Sequence, residues 1–267
     1  MAITIFSCAL ENKNKKSFVM RCLLILLCLF ASLCNASVSL SNYGTITTVS
    51  SSYGESMVVR GSVDNSAPSV INDAHYEFMA FLIEQARPDT GTTTQVFKAG
   101  ISVASILLSF GSNYRVNVAD PDAQLIGYCV ERAQGEANVN NMHTSFGDPY
   151  KILNRLVNNG GRSYHILLQD HFDGDVSSEA LFTTLDYFTL LSDSLYASSN
   201  GVIIRHIDTN LQQVSVLPEL YKNNLFGTAI TFSYGSHVFI VVRQQGITCQ
   251  DMADVSVQYP ASECVDY

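Results

Sequence analysis

Apolar and polar positions change their period several times along the chain, and the changes mark out its segments. From Cys22 to Leu33 it reads CLLILLCLFASL, an unbroken apolar run about a dozen residues long. Residues 41–63 are rich in Ser, Thr, Val and Tyr. There the stretches YGTITTV and ESMVVRG, separated by Ser51-Ser52-Tyr53-Gly54, predict a small β-hairpin unit. A helical period follows, with Asn72-Asp73 as cap, Tyr76, Met79, Ala80 and Ile83 on one face, and Pro88 stopping the helix after Arg87.

Beyond a Thr/Gly linker at 90–94, short apolar strands alternate with helical stretches. QVFKA, YRVNVA, NVNNMHT, YHILLQ and GVIIRH read as strands. The helices between them run to Phe110, from Asp122 to Gln134, from Pro149 onward, and from Ser178 to Tyr196. Such alternation predicts right-handed βαβ units and a parallel sheet covered by helices on both faces. TAITFS and HVFIVVR, joined by Tyr234-Gly235-Ser236, predict a closing antiparallel hairpin. The expected divisions are an export segment at 1–36, a β-strand unit at 37–71, an α/β domain at 72–248 and a tail at 249–267.

Composition narrows the partners. The chain is 47% apolar and 15% charged, which excludes a disordered tail or a coiled coil. It carries 15 Lys and Arg against 24 Asp and Glu, a net −9. Residues 1–36 carry +3, so the remainder carries −12. That balance argues against nucleic acid or an anionic membrane surface and favours a cation as ligand.

The run at 22–33 is preceded by Lys and Arg and followed by Cys34-Asn35-Ala36, whose small residues suit signal peptidase; it is short for a transmembrane span. Export with cleavage after Ala36 is the expectation, leaving no stable membrane insertion; an uncleaved anchor is the alternative. Met20-Arg21 directly precedes the run, so either Met1 or Met20 serves as start. Cleavage would leave Cys129, Cys249 and Cys264. Cys249 and Cys264 either close a C-terminal loop in an oxidising compartment or stay as buried or idle thiols. No two of them stand at metal-ligand spacing, and His75, His165, His171 and His206 form no metal pattern, so no metal is expected.

In open α/β sheets, chemistry sits beyond the carboxyl ends of the strands near the point where strand order reverses. The residues there are Gly100, Asp120, Gly147-Asp148 and Asp170-His171-Phe172-Asp173-Gly174-Asp175. Asp173-Gly174 is also an ordinary turn dipeptide, and Asp148-Pro149 a favourable helix cap.

The stretch YHILLQDHFDGDVSSEALFTTLDYFTLLSDSLYASSNGVIIRH, the helix start Asn-Asp-x-His-Tyr-Glu at 72–77, the strand Tyr43-Gly44-Thr45-Ile46 and Phe146-Gly147-Asp148 together resemble the polyamine aminopropyltransferases, the spermidine synthase family and its spermidine synthase-like relatives. The resemblance runs from Tyr43 to His206. It implies a Rossmann-like class I S-adenosylmethionine-dependent methyltransferase fold, with the small β-hairpin unit before it and the antiparallel hairpin after it. It implies Asp170 as catalytic acid/base, Asp173, Tyr76 and His75 on the substrate amine, and Gly100, Asp120 and Asp148 around the donor. The implied co-substrate is decarboxylated S-adenosylmethionine, with no permanently bound cofactor; the implied partners are a small polyamine and a second copy in a homodimer.

The departures matter as much. The glycine-rich turn of the family is reduced to Ala99-Gly100-Ile101-Ser102-Val103-Ala104, and its ribose-binding acid falls on Val118. The glutamine after its N-terminal hairpin is replaced near Asp64. Two functions therefore stand side by side. One is aminopropyl transfer to a diamine; the other is a secreted non-catalytic homologue, a pseudoenzyme that binds a polyamine or other cation or serves as an interaction module.

Overall fold

The computed structural model describes residues 39–41, 44–51, 54–60, 74–88, 91, 93–100, 113–121, 123, 126–127, 141–160, 163–170, 184–197, 200–208 and 216–267. Chain contacts separate Met1–Ser39 from Leu40–Tyr267, and the fold below is that of the second unit. The apolar run at 22–33, Asp64, the turn at 101–104, Cys129 and Asp173 lie outside the described residues. Among those described, no helix is long and apolar enough to cross a membrane.

The N-terminal strands form a three-stranded sheet, β1 (Ser39–Ser41), β2 (Gly44–Ser51) and β3 (Gly54–Arg60), in that order. β2 and β3 pair antiparallel from Thr45 opposite Arg60 to Ser51 opposite Gly54, the hairpin that the Ser/Thr/Val pattern predicts.

The main sheet has eight strands: β4 (Thr94–Ala99), β5 (Tyr114–Asp120), β6 (Met142–Phe146), β7 (Ile166–Gln169), β8 (Val202–Asp208), β9 (Ile230–Tyr234), β10 (His237–Arg243) and β11 (Glu263–Asp266). Their spatial order is β11-β9-β10-β8-β7-β4-β5-β6. β4 to β8 are parallel, while β10 runs antiparallel to β8 and β9. From β4 the chain lays β5 and β6 on one side and then returns to lay β7 and β8 on the other. The order therefore reverses between β4 and β7.

Five described helices complete the layers: α1 (Ala74–Ala86), α2 (Pro149–Gly160), α3 (Leu185–Asp193), α4 (Leu217–Asn224) and α5 (Ala253–Gln258). Side chains of a strand alternate between faces, and two apolar cores result. Val96, Val116, Ile166, Ile204 and Phe239 pack with Phe78 and Leu82 of α1. Phe97, Leu167, Ile203 and Ile240 pack on the opposite face with Ile152 of α2, Phe188 of α3 and Tyr221 of α4.

Three boundaries depart from the sequence pattern. The described ladder of β6 begins at Met142, opposite Val116, with Asn141 still in the turn before it. The described part of the 178–196 helix begins at Leu185, where the Thr184 hydroxyl accepts the Tyr187 N–H at 3.3 Å. The segment read as a tail instead carries a 3₁₀ turn (Cys249–Met252), α5 and an eighth strand, because β11 pairs antiparallel with β9 from Glu263 opposite Ser233 to Asp266 opposite Ile230. Cys249 and Cys264 form a disulfide within it.

Candidate functional site

Period-2 alternation carries four polar side chains to the α1-facing side of the sheet at the carboxyl end. On β4, Val96 enters that core and Lys98 follows two residues later. On β7, Ile166 and Leu168 lead to Asp170, the first residue past the strand. On β8, Val202 and Ile204 lead to His206. β10 arrives from the other direction and places Phe239 beside His206 and His237 beside Asp208. Lys98 and Asp170 thus flank the reversal between β4 and β7.

These groups are joined in a line. Lys98 Nζ lies 3.1 Å from Asp170 Oδ2, and both side chains are 0% exposed. Asp170 Oδ1 lies 2.7 Å from His206 Nδ1, and His206 Nε2 lies 2.9 Å from His237 Nδ1. The His206 ring stacks on Phe239 at 4.7 Å between centroids, the two planes nearly parallel at 9°.

Burial by itself pushes the Asp170 carboxyl up, but the Lys98 ammonium and then the His206 hydrogen bond more than offset it and hold the group at about 2. An ionised carboxylate only accepts, so a neutral His206 donates through Nδ1 and accepts at Nε2 from the His237 Nδ1–H. Both carboxylate oxygens of Asp170 are thereby committed to protein donors.

A second polar group lies on the opposite face at the same level. Tyr221 donates to Gln169 Oε1, and Gln169 Nε2 donates to the Tyr187 oxygen. Burial raises both tyrosines above their usual range, although buried Arg205, opposite Gln169 in the sheet register, opposes the rise. Their hydroxyls therefore stay protonated and able to donate.

The structure spreads Gly100, Asp120, Asp148 and Asp170 along one rim, while Asp173 lies outside the described residues. Gly100 leaves β4 with φ +89°, a conformation that favours glycine, and its N–H bonds Ala119 O at 2.8 Å. Asp120 is buried at the end of β5, and its carbonyl receives the Gly147 N–H at 2.9 Å. Asp148 caps α2, its Oδ1 accepting the Tyr150 N–H at 2.9 Å. His75 and Tyr76 lie in the first turn of α1, and their side chains fall outside the described residues.

Val118, the position where the resemblance would put a ribose-binding acid, is a core residue at 1% exposure. The sequence pattern does not single out Lys98 or His237, and it offers His206 only as one of four histidines that form no metal pattern. The available signals were a lysine inside the apolar strand QVFKA and histidines at the ends of GVIIRH and HVFIVVR. His165 has a structural part: its Nδ1 accepts the Gln95 N–H at 2.8 Å, and burial lowers its pKa. Among the described residues, no group of three His, Cys, Asp or Glu is placed to hold a metal.

No protein-family model matches the chain, and no curated protein matches its sequence. Its structure is similar to a probable spermidine synthase from Corynebacterium glutamicum, with TM-score 0.62 and 12% identity over 85% of this chain and 88% of that one. It is similar to a spermidine synthase solved with the transition-state analogue AdoDATO, with TM-score 0.57 and 9% identity over 82% and 77% of the two chains. Human methyltransferase-like protein 13, solved with SAH, matches with TM-score 0.55 and 10% identity over 70% and 90%.

Proposed function

We propose that the chain, whose mixed α/β sheet has the Rossmann-like class I S-adenosylmethionine-dependent methyltransferase fold, is a non-catalytic homologue of the spermidine synthase type, exported from the cytosol and working as a binding or interaction module. The observation that carries this reading is the buried Lys98–Asp170 pair. Aminopropyl transfer requires a carboxylate that can hold the acceptor ammonium and take its proton. Asp170 instead holds an ammonium belonging to the protein, and a carboxyl at about 2 is a poor base at neutral pH. Val118 in the core supports the same reading on the donor side.

A second reading rests on the rim itself. Gly100 keeps its positive φ, and Asp120 and Asp148 follow adjacent parallel strands, so a nucleoside half-site is the feature that favours aminopropyl transfer from decarboxylated S-adenosylmethionine. Calorimetric titration of the purified protein with decarboxylated S-adenosylmethionine, methylthioadenosine and spermidine, followed by an aminopropyl-transfer assay, separates the two. The non-catalytic reading expects no product under conditions where a working spermidine synthase turns over. Product formation lost in Asp170→Asn would sink it.

A further inference from the structure

The segment read as a tail is built into the core. Met252 and Val255, with Ile247 just ahead of the segment, are buried among the α1-side residues. Tyr259 stands edge-on to Phe78 at 5.0 Å, and it also meets Phe81 at 5.5 Å and Tyr234 at 5.7 Å. β11 covers the backbone edge of β9, which would otherwise offer its N–H and C=O groups to another chain.

Local polar contacts start and end this strap. Thr248 and Asp251 form a reciprocal capping box. The Cys249 N–H donates to Asp266 Oδ1 at 2.7 Å, and the Tyr267 N–H donates to Ala229 O at 2.9 Å. Between them the strand is four residues long, ECVD, with Glu263, Val265 and Asp266 exposed. So short and polar a strand has little burial of its own to hold it. The Cys249–Cys264 bond supplies the missing constraint, tying the edge strand to the turn that begins the strap.

We propose that oxidation of Cys249 and Cys264 is a maturation step that completes this fold, so that the strap closes over α1 and β9 only after the chain meets an oxidising compartment. The two thiols lose two protons and two electrons to a disulfide carried by a thiol–disulfide exchange partner, which leaves as a dithiol. In the reduced chain the strap is undocked, and the Phe78, Phe81 and Tyr234 face and the β9 edge are uncovered. This maturation rests on the proposed export and is independent of whether the rim catalyses anything.

The test has two arms. Protein taken from cells that make it is denatured, alkylated without reduction and mapped by peptide mass; Cys249 and Cys264 are expected unlabelled, and labelling of both overturns the proposal. Hydrogen exchange is then followed by mass spectrometry on the full chain before and after reduction. Exchange at 78–81, 230–234 and 263–266 is expected to rise at least tenfold while 166–169 and 202–205 keep their protection. No change at the first set, or loss of protection everywhere, overturns it. The Cys249→Ser/Cys264→Ser variant should match the reduced protein; if it fails to accumulate, reduction of the wild-type chain still gives the answer.

Discussion

At the scale of single residues, the buried Lys98–Asp170 pair determines more than any other contact. Removing one partner leaves a charge with no solvent, and such losses cost about 3–5 kcal/mol. Lys98→Met is therefore expected to lower the melting temperature sharply and to raise the Asp170 carboxyl, since burial then acts with less opposition. Replacing both, Lys98→Met with Asp170→Leu, should recover most of the loss; a double variant as unstable as the single one would contradict this account. The pH dependence has a definite sign. The Asp170 carboxyl is lowered from its usual value near 3.8 to about 2, so its contribution is complete above pH 3.8 and disappears as pH falls through 2. His165 is also lowered, which for a histidine means that folding resists protonation: its contribution is complete above 6.5 and lost as pH falls below that value. Denaturant titrations from pH 7 to 5 should show His165→Gln with a flatter decline than the parent.

The elements behave as their patterns suggest, except where position in the sheet overrides pattern. Asp148 serves as the cap of α2, and Asp148→Ala should cost about 1 kcal/mol in thermal unfolding while Asp148→Ser costs little. Equal losses would move Asp148 from capping to some other task. Short apolar runs made β4, β5, β7, β8, β9 and β10 legible, because each buries apolar side chains on both faces or ends in a clear turn. β11 was not legible: ECVD has no apolar period, and its place comes from the open edge of β9. The polar line at the rim was only half legible. Asp170 could be read because a strand ends there, but Lys98 lies 72 residues away and looks on its own like a strand residue with its head in water. Only the register of β4 against β7 shows that its ammonium is spent inside the protein.

For the whole molecule, the charge balance and the sheet order act together. Beyond residue 36 the chain carries −12, so spermidine should associate weakly at low ionic strength through the general field. That association is expected to collapse above about 0.1 M salt, where screening shortens the reach of surface charge to about 10 Å. Binding that persists at high salt would instead point to a formed polyamine pocket, as a binding module requires, and would contradict attraction by the general field alone. The strap has a mechanical consequence as well. Pulled by its C-terminus, the oxidised chain can peel only from Tyr267 back to Cys264 before load passes through the bond to Cys249, so the 15-residue separation between them is hidden length. In a force-extension trace, reduction should lengthen the unfolded chain by about 50 Å and move the first rupture to lower force.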